Sequence, residues 1–410
     1  MKTKHFLLIG LFFFSVTLFV QGADDYKFDK TGVSRNVLEN YLAKSITMTD
    51  LLTPPGFEND GAFSGKEDDI RMLRNIGVKF IGRSIYRWGK EDTLANKEFL
   101  DGAKKIADKI HEIDSDIIFQ ACLFEIVTQR VNSVPIPAWA FEALDMPVEK
   151  RNFDYDEMLA LNKKMVNHWG SSSVPDITRP ETQLWFLFLA GTYLEIGCEA
   201  FHLGQVELIG MNDPQKEHWF KFVAKLREFS SKKARRGWII LDAHTPRGGM
   251  VVGGKSLLDF NSFPLRIKDI SDKPMQGVLE VGYLDSLFKR SEGCTTPSGW
   301  KCDSLPYLVE FDNFGITRTP GQATPNTHFI WGYDEISWFY QQSEEYRDEW
   351  LRYADKWVRD TDPNGFLQMP VGRVVSEPGK RVRFRANTKS ETVPEGLNLE
   401  DTIKSIFTQK

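Results

Sequence analysis

The sequence predicts an α/β chain folded as one (β/α)8 TIM barrel with long βα-loop insertions, and three observations carry that expectation. From about Tyr41 onward short apolar runs alternate with longer amphipathic ones, the pattern of a parallel sheet joined by crossover helices. The strand-like runs number eight, which fits a closed barrel better than an open doubly wound sheet. The chain has 410 residues, of which 41% are hydrophobic and 13% aromatic. That is enough for a large core, and barrels routinely exceed the usual domain size as one unit.

The eight runs are residues 45–52, 80–86, 117–123, 200–207, 237–242, 256–260, 307–311 and 328–332. Between them, residues 67–75, 97–113, 180–196, 214–234 and 335–358 carry apolar residues at three- and four-residue spacing with charges between, as crossover helices do. The stretch after residue 260 has no long helix. Two insertions, 134–179 and 271–306, belong to loops at or near strand C-terminal ends, where barrels elaborate their sites. After about residue 375 the chain reads as a C-terminal extension, polar and basic through Arg385 and then a short helix.

The first residues bear on compartment. Lys2 and Lys4 precede an apolar run from Phe6 to Val20 that ends in Gln21, Gly22 and Ala23. This run is shorter than a membrane span and stops at small residues suited to cleavage, so residues 1–22 are expected to be a signal peptide. Residues 23–410 then form the mature barrel, secreted or periplasmic. No second apolar stretch is long enough to span a bilayer. The formal charge of −5 becomes more negative once Lys2 and Lys4 leave, which argues against nucleic acid as a partner. The oligomeric state is open.

Four cysteines are present. Cys294 and Cys302 flank a short loop that a disulfide can close locally. Cys122 and Cys198 lie in or beside apolar strand-like runs and read as buried small hydrophobes in preference to a bridge. Neither pair has the spacing of a zinc site, and no cofactor or metal is expected.

Side chains two apart on a strand share a face, so Leu203, Gln205 and Glu207 point the same way. Glu207 ends that apolar row at the rim where the barrel opens. Glu310 does the same after Tyr307, Leu308 and Val309, with Asp312 on its face. Burying an unpaired carboxylate there would cost several kcal/mol, so Glu310 must reach water or a dedicated partner. Two carboxylates across one mouth are what glycosidic cleavage uses: one protonates the leaving oxygen, the other attacks the anomeric carbon or activates water.

With these residues in place the chain resembles the clan A glycoside hydrolases, as a divergent member. Glu310 in Val-Glu-Phe-Asp is similar to the nucleophile closing the family's seventh strand. Trp331 in Phe-Ile-Trp-Gly-Tyr is similar to its strand-eight tryptophan, and Arg83 or Arg87 to its strand-two arginine. The resemblance implies a retaining hydrolase acting on an oligo- or polysaccharide, with Glu310 as nucleophile and Glu207 as acid/base. One departure stands out: the family carries Asn directly before the acid/base Glu, and here that position is Val206.

Neighbouring strand ends add Gln120 and Glu125 after the third strand, and Asp242 and His244 after the fifth, where His244 can orient a carboxylate. Tyr86, Trp88, Trp139, Phe311, Trp331 and Tyr333 are candidate stacking faces for sugar rings, although single aromatics more often pack the core. Asp312 and Asn313 can equally shape a turn. His202 reads as a packed, hydrogen-bonded imidazole. Two alternatives accompany the hydrolase reading. One is a non-catalytic glycan-binding barrel, motivated by Val206 and the aromatics; the other is a metal-assisted hydrolase using Asp242, His244, His202 and a rim Glu.

Overall fold

Eight parallel strands pair edge to edge and close on themselves, because the first hydrogen-bonds the last. In chain order they are β1 (Ser45–Met48), β2 (Phe80–Ile85), β3 (Ile118–Cys122), β4 (Ala200–Gln205), β5 (Ile240–His244), β6 (Asn261–Pro264), β7 (Tyr307–Glu310) and β8 (Gly365–Glu377). A ninth strand, β9 (Lys380–Arg385), runs antiparallel to the outer half of β8. The computed structural model describes residues 25–59, 65–245, 248–284, 291–313, 319–323 and 329–409. The expected signal peptide, residues 1–22, lies outside the described residues.

The local chemistry explains the elements. Strands β1, β2 and β3 are buried at every position, as parallel strands covered on both sides must be. The helix Lys97–Ile113 is capped by Asn96, whose side chain accepts from the Glu98 amide, and buries Phe99, Ala103, Ala107 and Ile110 along one stripe. The helix Pro180–Ile196 starts on proline and stops at Gly197 in the left-handed conformation. Helix Arg35–Ala43 packs Val37, Leu38, Tyr41 and Leu42 into one apolar cluster with Phe80, Ile118, Ala200, Ile240 and Leu308 from the strand starts, and so plugs the bottom of the barrel. No described helix is long and apolar enough to cross a membrane.

Three expectations are corrected. The sixth strand is β6 and not residues 256–260, where Ser256, with Lys255 before it, instead pairs with Val251–Val252. The eighth is β8 and not residues 328–332. There His328 lies outside the described residues, and Ile330 and Tyr333 form an isolated bridge around a turn. β8 contains Pro370, which removes a ladder donor and reads as a breaker. The structure accommodates it where Thr47 faces Pro370 and Met48 faces Gly372, a one-residue irregularity in the β1 register. The expected helix 335–358 is two, Glu335–Tyr340 and Glu344–Thr361, the second capped by Ser343.

Cys294 and Cys302 face one another across a short antiparallel pair with sulfurs 3.9 Å apart, as free thiols. Cys122 and Cys198 are buried free thiols. The extension after 375 comprises the end of β8, β9 and the helix Glu400–Thr408, whose Glu400 receives Arg71 and Asn75 from the helix Lys66–Ile76.

Because β8 alone joins β7 to β1, a chain stopped after residue 362 should lose its cooperative unfolding transition in urea. A sharp transition in that truncated protein would contradict closure by residues 365–377.

Candidate functional site

A cavity of about 430 Å³ opens at the C-terminal mouth of the barrel, where such folds carry their sites. Its floor is organised by Glu310, which is itself buried. Arg83 donates from Nε to Glu310 Oε2 (2.9 Å) and from Nη2 to Oε1. Arg373 Nη1 donates to Oε2 (3.1 Å), and His244 Nε2 bonds Oε1 (3.2 Å). Burial by itself would raise the Glu310 carboxyl, but Arg83, Arg373 and the His244 bond outweigh it and hold the group well below the usual carboxylate range. Arg83, Arg373 and His244 all line the cavity above it.

The backbone is bent to allow this. On β2 the register against β3 shifts between Ile81 and Ile85, and Arg83 sits at φ +57°, a conformation costing about 1–3 kcal/mol in an ordinary residue. Gly82 precedes it because a Cβ there would come within 2.3 Å of the Gln368 amide.

Next to this hub lies a second buried network. Asp242 accepts from Gln120 Nε2 (2.6 Å), His202 Nδ1 (2.8 Å) and Ser262 Oγ. His202 lines the cavity and contacts His244 edge to face, with ring centroids 4.9 Å apart. Burial pushes its imidazole below the ordinary value in spite of Asp242.

The far side of the mouth is shaped by β4. Gly204 turns the strand at φ +72°, and a Cβ on it would lie 2.0 Å from Glu125 Oε2. Only glycine therefore leaves room for that carboxylate. Glu125 accepts from the Gln205 amide N (3.0 Å) and from Gln205 Nε2 (3.0 Å), and both residues line the cavity. Aromatic walls complete it: Trp88 stacks on Phe124 at 4.9 Å, Tyr86 meets both edge-on, and Trp169 stands opposite solvent at 39% exposure.

Of the expected site residues, Arg83, Trp88, Gln205, His244 and Asp312 line the cavity, and Glu310, Gln120 and Asp242 lie buried behind that lining, bonded to Arg83 or His202. Four are elsewhere. Glu207 stands exposed on the short helix Val206–Ile209, beyond the end of β4 and off the cavity lining. Arg87 is buried, donating to Thr93 and Phe57 and lying over the Phe99 ring. Trp331 donates its indole N–H to Gln276, and its backbone N–H to Asp269. Tyr333 belongs to the same buried turn. The stacking candidates Trp139 and Phe311 pack into the core against Phe188 and Phe229, and Phe339 and Trp350. Sequence reasoning did not place Arg373, Arg381 or Trp169 at the site. Arg373 was hidden with β8, where the only signal was an arginine in an otherwise apolar run, Val371-Gly-Arg-Val-Val.

Asp312 takes part as well: Arg373 Nη2 donates to it (3.1 Å) and to Asn313 Oδ1 (2.9 Å). Among the described residues, no three His, Cys, Asp or Glu groups converge as metal ligands do.

The depressed Glu310 value fixes the sign of a pH effect. Its stabilisation is complete above the ordinary value of 4.5 and is lost as pH falls through the folded value. Glu310→Gln strands two guanidinium groups, so urea unfolding at pH 7 should show a loss of about 3–5 kcal/mol. Below pH 4.5 the gap to the parent should narrow by roughly 1.4 kcal/mol per pH unit. A gap unchanged between pH 7 and pH 3 would refute the ion-pair account.

No protein-family model matches the chain, and no curated protein matches it. Among solved structures it is similar to a cyclic α-maltosyl-(1→6)-maltose hydrolase from Arthrobacter globiformis, at 12% identity and a TM-score of 0.34 over 54% of this chain and 56% of that one. It is similar to a debranching enzyme from Nostoc punctiforme at 12% identity and 0.34, over 54% and 52%. A third is an α-galactosidase from Thermus thermophilus, at 16% and 0.29, over 53% and 40%. The chain thus spans about half the length of the first two.

Proposed function

We propose that the chain is a glycoside hydrolase of the two-carboxylate type, acting outside the cytoplasm after loss of residues 1–22, with Glu310 as nucleophile and Glu125, in place of Glu207, as acid/base. The observation that carries this reading is the composition of one cavity. Glu310, held in its ionised form, lies directly beneath the lining residues Arg83, His244 and Arg373, Glu125 lines the cavity from the loop after β3, and Tyr86, Trp88 and Trp169 offer flat faces of the kind sugar rings stack on. In eight strands, β3 and β7 stand across the mouth from one another.

The chemistry balances with these two groups. A Glu310 oxygen attacks the anomeric carbon as the glycosidic C–O bond breaks, and the leaving oxygen takes the proton of Glu125. Water then gives a proton back to Glu125 and displaces Glu310, with net retention. Gln205 at the end of β4 has no titratable proton, and Glu207 is exposed off the cavity, so Glu125 is the carboxyl best seated for proton transfer.

A second reading is favoured by a specific observation. Both oxygens of Glu310 accept bonds from three side chains, and both oxygens of Glu125 accept from Gln205. Carboxylates engaged in this way suit a barrel that binds a neutral glycan without cleaving it.

A panel of 4-nitrophenyl glycosides and plant and bacterial polysaccharides separates the two. For a substrate that responds, Glu125→Gln should lower kcat by about 10²–10⁴-fold, and the first product seen by proton NMR should keep the anomeric configuration. Saturable binding with no turnover across the panel would move the assignment to the binding barrel. Full activity in Glu125→Gln would remove Glu125 from the mechanism.

A further inference from the structure

The mechanism above makes no use of the cysteines, and one pair of them is held face to face. Cys294–Thr295 and Lys301–Cys302 form a short antiparallel hairpin in which Cys294 lies directly opposite Cys302. Residues opposed in this way have Cα atoms about 4.5–5.5 Å apart, inside the span of about 4.4–6.8 Å that a disulfide bridges without backbone movement. Their sulfurs are already in contact as free thiols. Cys294 is buried and Cys302 only partly so, which leaves Cys302 as the thiol an external reagent reaches first. The tip of the same hairpin grips the chain just ahead of the plugging helix Arg35–Ala43. Val33 N donates to Ser298 Oγ (3.0 Å), and Trp300 Nε1 donates to the Val33 carbonyl (3.1 Å). Trp300 also packs against the apolar cluster that seals the bottom of the barrel. Both backbone polar groups of Val33, itself 1% exposed, therefore depend on the hairpin keeping its shape.

We propose that Cys294 and Cys302 are a modification site, oxidised by exchange with a small disulfide such as glutathione disulfide, and that the bridge locks the hairpin onto Val33 beneath the barrel. The Cys302 thiolate attacks one sulfur of the oxidant and expels a glutathione thiolate. The Cys294 thiolate then attacks the Cys302 sulfur, which forms the bridge and releases the second glutathione. The protein gives up two electrons and two protons, and both pairs end on the two glutathione thiols. Burial raises both protein thiols, so exchange quickens as rising pH supplies thiolate. The inference stands whether or not the cavity takes a sugar, because none of residues 294–302 lines it.

The test incubates the folded protein with glutathione disulfide at mildly alkaline pH, alkylates the remaining thiols in urea and digests with trypsin without reduction. Cleavage after Arg290 and Lys301 puts the two cysteines on separate peptides, 291–301 and 302–318. These should appear linked, and reduction should release them. Recovery of the two peptides unlinked, whether alkylated or carrying glutathione, would overturn the proposal. The lock is read on the bridged and reduced forms of the same protein. A loop this short gives a modest effect, so reduction should lower the melting temperature by about 3 °C. It should also speed hydrogen exchange at the Val33 amide relative to the amides of β3. Cys302→Ser should show neither the linkage nor any response to reductant. Equal Val33 exchange in the bridged and reduced protein, or a Cys302→Ser protein that still responds to reductant, would refute the lock.

Discussion

A single buried charge organises the mouth of this barrel. Glu310 ends a strand whose other residues are apolar and is almost wholly buried, so its charge must be met by protein groups and not by bulk water. Leaving it unpaired would cost far more than a folded domain can tolerate. The fold therefore delivers partners from three other strands: Arg83 from β2, His244 from β5 and Arg373 from β8. That requirement explains features that otherwise look like defects. Arg83 occupies a left-handed backbone conformation in the middle of a strand, beside a glycine that yields space to Gln368. The irregular β1–β8 register at Pro370 lies just below the point where Arg373 must turn inward.

Beneath the charge the interior is polar across nearly the whole barrel. Thr47 donates to Gln368, Gln120 connects the Arg83 backbone to Asp242, and Asp242 gathers His202 and Ser262. Such networks are stabilising only when nearly every member is satisfied, because the low dielectric that strengthens each bond also penalises each omission. The lower half is apolar and sealed by the helix Arg35–Ala43. The division of labour is vertical: hydrophobic burial below holds the barrel closed, and hydrogen bonds above hold side chains in fixed directions.

How much of this was legible in the sequence follows from where the chain keeps a regular period. Six of the eight strands and the helices between them could be read within a few residues, since apolar alternation and three- to four-residue spacing report directly on buried faces. β8 was lost because Gly365, Pro370 and Gly372 look like punctuation, and a run near residue 330 with Phe, Ile and Trp took its place. Glu310 was recognisable because a carboxylate closing an apolar run demands a partner whatever the partner is. Glu207 was misplaced for a more instructive reason. The two-residue alternation that put Gln205 and Glu207 on one face holds only while the chain stays extended. Gly204 turns it, and Val206–Ile209 continues as helix. A glycine immediately before the rim, in Leu203-Gly-Gln, was the available warning.

The distribution of bonds also bears on what kind of ligand this cavity suits. Three arginines line the cleft, Arg83, Arg373 and Arg381, and such a set would ordinarily point to an anionic ligand. Here Arg83 directs Nε and Nη2 at Glu310, while the terminal nitrogens of Arg373 serve Glu310, Phe311, Asp312 and Asn313. An incoming anion would have to displace a carboxylate already held by two guanidinium groups in a site of low dielectric, and the exchange gains little. What the floor offers is a set of directed donors and acceptors with nearly balanced charge, under walls of Tyr86, Trp88, Phe124 and Trp169. Flat apolar faces around oriented polar groups match a molecule with a hydrophobic ring face and hydroxyls at its edge. The proposed neutral-sugar ligand is thus supported by the charges of Arg83 and Arg373 being consumed internally, independently of the assignment of the cleaving carboxylate.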